Sequence, residues 1–89
     1  MDKKILTIIE LIRNVNTNRS DLETAEEILD IIPEDSDYSI EYDDHDGWNP
    51  TVSIVFDKTN KFDITVFDGN IFVDGHNIKD LPIVDVNSL

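Results

Sequence analysis

The side chains of this 89-residue chain that could move protons or hold a metal are His45, His76 and twenty Asp and Glu; there is no cysteine. That absence removes the thiolate nucleophile, the disulfide framework and the thiolate zinc site together, and it fits a reducing compartment. The densest cluster is Asp43-Asp44-His45-Asp46, whose carboxylates are the hard oxygen ligands that calcium takes. An EF-hand loop with Asp46-Gly47 at its sharp turn needs an acid at position 42 and a Glu at 53. The chain has Tyr42 and Ser53 there, so the loop fails. Two isolated histidines, both in turn-like segments, do not make a nucleophile–base pair. Nor is there a glycine-rich phosphate loop, or a basic patch with interleaved aromatics. The sequence assigns no catalytic residue, metal or cofactor, and the expectation is a protein that is not an enzyme.

What the acids can do instead follows from their number and placement. Twenty acids against seven Lys and Arg give a formal charge of −13. Charge of that size repels DNA, RNA and anionic lipid, so neither nucleic acid nor membrane is an expected direct ligand. From Asp21 to Asp46 there are twelve acids and no Lys or Arg. Solubility alone is served by mixed signs, which also allow stabilising pairs one helical turn apart. An unmixed block inside foldable sequence points to a field directed at a partner.

The elements that position these acids are legible from periodicity. Ile5, Ile8, Ile9, Leu11 and Ile12 recur at helical spacing and predict a first helix over residues 2–14. Ser20 with Glu23 forms a capping box that opens a second helix, and Pro33 stops it. Leu22, Ala25, Leu29 and Ile32, with Ile28 alongside, line its apolar face. Glu23, Glu26, Glu27 and Asp30 form an acidic stripe opposite. Beyond Pro33 the period becomes two. Tyr38, Ile40 and Tyr42 mark a first strand; Val52, Ile54 and Phe56 a second; Phe62, Ile64 and Val66 a third. Asp68-Gly69 predicts a type I′ hairpin pairing the third strand with residues 70–74, with Val66 facing Ile71 and Ile64 facing Val73. Asp74-Gly75 marks a further turn, and Ile83 to Val86 a short edge strand. The expected fold is α+β: one small domain with an N-terminal helical hairpin on one face of a four- to five-stranded antiparallel meander. The N-terminal apolar run is broken by Glu10 and Arg13 before a signal or membrane segment can form, so a soluble cytoplasmic protein is expected.

On these elements, acids two apart on a strand project about 6.6–6.8 Å from one another, and acids a helical turn apart about 5–6 Å. Duplex DNA carries a phosphate per about 3.4 Å of rise on each strand. In composition and charge pitch the layout resembles that of DNA-mimic inhibitors, many of them phage-encoded, which draw a basic groove by electrostatic steering. The Ile-, Asn-, Lys- and Asp-rich vocabulary suits an AT-rich bacterial or phage genome. The expected partner is a basic nucleic-acid-binding protein such as a nucleoid protein, a defence nuclease or a transcription protein. The residues assigned to it are Glu23, Glu26, Glu27, Asp30, Glu34, Asp35, Asp37, Glu41, Asp43, Asp44, Asp46 and Trp48. Trp48, the only tryptophan, either anchors that contact or folds back to enlarge a small core. An immunity or antitoxin protein against one basic toxin is the alternative reading. Val55, Phe67 and Phe72 alternate away from the core set, marking a homodimer interface or a patch covered by Leu81 to Val86. A scaffold that uses this patch, its acidity incidental, is the third reading.

Overall fold

Ser20 sets the start of the second helix as its spacing predicts. Its Oγ accepts the Glu23 N–H at 3.1 Å and donates to the Glu23 carboxylate at 3.0 Å, satisfying one of the amides that a helix start leaves unpaired. The computed structural model describes residues 3–45 and 48–81. Helix α1 spans Lys3–Ile12 and α2 Asp21–Ile31, with Ile32 leaving helical geometry one residue before Pro33. Five strands follow: β1 Ser39–Asp43, β2 Thr51–Val55, β3 Lys61–Phe67, β4 Asn70–Val73 and β5 His76–Asn77. They form one antiparallel sheet in the order β1-β2-β3-β4-β5, and a 3-10 turn, Ile78–Asp80, comes after it. Two helices packed on a five-stranded antiparallel sheet make the fold α+β.

The predicted hairpin register is observed, with Ile64 opposite Val73, Thr65 opposite Phe72 and Val66 opposite Ile71. At its tip Asp68 and Gly69 have φ of 51° and 75°, the left-handed pair a type I′ turn requires. The sequence reading did not contain the fifth strand observed. Asp74 (φ 49°) and Gly75 (φ 83°) turn the chain at once, so His76–Asn77 pairs with β4. A two-residue strand carries too little alternation to be read from sequence. Ile83 to Val86 lie outside the described residues.

The core lies between the helices and one sheet face. Ile8, Ile9 and Ile12 of α1 meet Ala25 and Ile28 of α2 over Val52, Ile54, Phe62, Ile64, Val66, Ile71 and Val73. In α2 the buried line is Thr24, Ala25, Ile28 and Ile32, while Leu22 and Leu29 are only half-buried. Thr24 is admitted because its hydroxyl donates to the Ser20 carbonyl at 3.0 Å, which removes the cost of burying it.

Candidate partner-binding surface

The acids of the Asp21–Asp46 block fall into three groups once their contacts are known. The first is structural. Asp21, in the first turn of α2, accepts the Asp68 and Gly69 backbone N–H groups at 2.9 and 3.0 Å. Glu23 completes the helix cap.

The second group meets cations that the sequence places elsewhere. Lys4 Nζ lies 2.9 Å from Asp35 and also pairs with Asp37, and Asp35 accepts the Asp37 N–H at 2.8 Å. The Lys4 hydrogen bond, then the Asp37 amide, hold the Asp35 carboxyl below its ordinary value. Asp37 and then Asp35 raise Lys4 in return. Tyr38, whose hydroxyl donates to the Pro33 carbonyl, packs edge-on against Phe56 with ring centroids 5.5 Å apart. Burial, and after it Asp35, pushes the Tyr38 hydroxyl upward. Glu27 is held at 2.7 Å by Arg19. A helical hairpin brings the start of α1 beside the end of α2, so Lys4 was reachable from the expected topology. Arg19, in the interhelix turn, had no such signal.

The third group is available to a partner. Among the described residues, Glu26, Asp30, Glu34 and Glu41 are exposed and make no ion pair. They do not share one plane. Glu26 and Asp30 stand on the helix layer, whereas Glu41 and Asp43, alternating with the inward-facing Ile40 and Tyr42, project from the opposite face of the sheet. The available acids therefore lie on both sides of the sheet, and Glu41 and Asp43 stand on β1, an edge strand. Tyr42, between them, faces the helix side. It is 37% exposed, and its hydroxyl is raised first by burial, then by the charges of Asp44 and Glu26. Asp43 accepts the His45 N–H at 2.9 Å and lies 3.4 Å from its ring Nδ1. Asp46 lies outside the described residues.

Trp48 does not join the core. It is 69% exposed and meets Phe67, itself 44% exposed, edge-on at 6.5 Å between ring centroids. The backbone explains the position. Trp48 N–H is held by the Asp44 and His45 carbonyls, Asn49 adopts a φ of 50°, and the side chain that the chain buries next is Pro50. Val55, Phe67 and Phe72 all lie on the outer sheet face, but they do not form one patch. Val55 pairs with Lys61, six residues and so about 20 Å along β3 from Phe67. Ser53 and Asp63, hydrogen-bonded at 2.6 Å, lie between. The apolar feature of this face is Trp48 with Phe67, flanked by Phe72. The outward position of Phe67 was legible from strand alternation, but nothing in the sequence placed Trp48 beside it.

Among the described residues, no three His, Asp or Glu side chains gather as a metal site needs, and no helix is long and apolar enough to cross a membrane. Compared with known proteins, the chain matches no family model, no curated protein and no solved structure.

Proposed function

We propose that this protein is a non-enzymatic acidic inhibitor of the DNA-mimic kind, acting by occupying the nucleic-acid-binding surface of a basic protein. The observation that carries this reading is the set Glu26, Asp30, Glu34 and Glu41: exposed, without an ion pair among the described residues, and mounted on a well-packed core. Fixed charges on a packed scaffold attract a basic groove with little ordering cost at binding. The targets that fit are a nucleoid protein, a defence nuclease or a transcription protein in the cytoplasm of a bacterial host, with the inhibitor phage-encoded. Direct binding of nucleic acid or membrane is no part of the reading.

The test is capture of basic DNA-binding proteins from host lysate at low and high salt, with duplex DNA as competitor. A mimic retains them, releases them as salt rises and loses them to DNA. Capture indifferent to DNA overturns mimicry.

One observation favours the second reading, an immunity or antitoxin protein against a single basic toxin. The Trp48–Phe67 pair is an exposed aromatic anchor, and such anchors dominate tight protein interfaces. Under that reading capture persists against DNA and depends on Phe67. Under homodimerisation through Phe67 and Phe72, sedimentation shows a dimer that Phe67→Ser dissociates.

A further inference from the structure

The backbone of β1 has an open side, and the register shows which residues occupy it. Val66 N–H donates to the Pro50 carbonyl at 3.0 Å and Phe56 N–H to the Asn60 carbonyl at 2.8 Å. With Val52 opposite Ile64 and Ile54 opposite Phe62, the even residues of β2 direct their hydrogen bonds to β3. Thr51, Ser53 and Val55 must therefore bond to β1, through their partners Asp43, Glu41 and Ser39. Ile40 and Tyr42 are left with their N–H and C=O groups pointing out of the sheet, where the described residues place no sixth strand.

Such an edge pairs readily with an extended chain. A second copy of β1 is a poor occupant. Antiparallel pairing centred on Glu41 sets Glu41 against Glu41, pairing centred on Tyr42 sets Glu41 against Asp43, and pairing centred on Ile40, which sets Glu41 against Ser39, still brings together two chains of formal charge −13. Like charges directly opposite destabilise a sheet. A basic strand meets acids on both of its faces. Its residues opposite Ile40 and Tyr42 project toward the helix side, beside a cleft of about 380 Å³ lined by Glu34, Asp35, Tyr38, Ser39 and Ile40. Its intervening residues project beside Glu41 and Asp43.

We infer that the partner docks an extended lysine- or arginine-bearing segment on β1 as a sixth strand, bonded to the Ile40 and Tyr42 backbone. This rests on the reading of the protein as an acidic surface for a basic partner and specifies how that surface engages it.

The test titrates the isotope-labelled protein with a short peptide of alternating lysine and threonine. A second titration uses the same peptide N-methylated on alternate backbone nitrogens, which keeps its charge and removes edge donors. A glutamate–threonine peptide is the control. Solvent exchange of the Ile40 and Tyr42 amides is expected to slow about fivefold or more at saturation with the lysine peptide, as a net backbone hydrogen bond implies. The N-methylated peptide should bind at least about fivefold more weakly and give no such protection. Equal binding of both lysine peptides, or binding without slowed exchange at Ile40 and Tyr42, overturns strand docking and leaves the acidic-surface reading standing. Lysine and glutamate peptides that bind alike at low salt overturn both.

Discussion

The Asp21 carboxylate accepts the Gly69 backbone N–H at 3.0 Å, fastening the first turn of α2 to the tip of the β3–β4 hairpin. Its second oxygen takes the Asp68 N–H, so one acid serves two turn amides and also sits at the positive end of a helix. Asp21→Ala is expected to cost about 1–3 kcal/mol of folding stability, the range for losing hydrogen bonds to a charged group. Urea unfolding followed by circular dichroism measures it. Partner capture per folded molecule should not change, separating Asp21 from the acids proposed to face the partner.

The Lys4–Asp35–Asp37 clasp gives a pH signature. The folded-state pKa of Asp35 is depressed, so its contribution is present above the unfolded carboxyl value of about 3.9 and lost as pH falls through the depressed value. Lys4 is raised, so its contribution is full below about 10.4 and lost as pH rises through its raised value. Both partners are partly exposed, so the effect is small and screened by salt. The stability difference between the protein and its Lys4→Met variant should be flat from about pH 5 to 10 and shrink on either side. Thermal melts across pH check this. A difference that grows in acid contradicts the clasp.

Charge reversal separates steering from folding. Glu26→Lys with Asp30→Lys alters two exposed positions and is expected to change stability by less than about 0.5 kcal/mol each. It should slow association with a basic partner about tenfold or more at low salt and flatten the salt dependence. Surface plasmon resonance at two ionic strengths reads both. Glu27→Lys differs because it also breaks the Arg19 pair, so a stability loss is expected there as well.

Phe67→Ser tests the aromatic pair. The ring contact with Trp48 is exposed, and edge-to-face pairs are worth about 0.5–1.5 kcal/mol, so stability should fall by no more than about that. A drop in partner affinity far larger than this marks Trp48 and Phe67 as the anchor. An unchanged affinity places the contact on the helix stripe and β1.

The sequence was most informative where one local rule had no competitor. Ser20 with Glu23 and Asp68-Gly69 specify a helix start and a hairpin register, and both are observed. The switch from helical to alternating periodicity at Pro33 gave the layer order. Less legible were features decided by tertiary packing. The buried line of α2 runs through Thr24 and Ile28 rather than Leu22 and Leu29, because the Thr24 hydroxyl is satisfied within its own helix. Lys4 and Arg19 cross into the acid block only once the hairpin closes. Acids adjacent in sequence on α2 and β1 look like one surface until the sheet stands between them. Tyr42 and the Ile40 amide gain meaning only from β1 being an edge, which depends on the order of all five strands.

The position of Trp48 also determines how the molecule can be observed. As the sole indole, mostly in water and packed edge-on against an exposed ring, it has a similar solvent environment before and after unfolding. Its emission will therefore report poorly on denaturation, and a flat fluorescence trace through a melt is no sign of resistance to heat. The same indole will shift toward the blue when another molecule displaces water from the outer sheet face. This protein carries a built-in reporter that sees association and is nearly blind to folding.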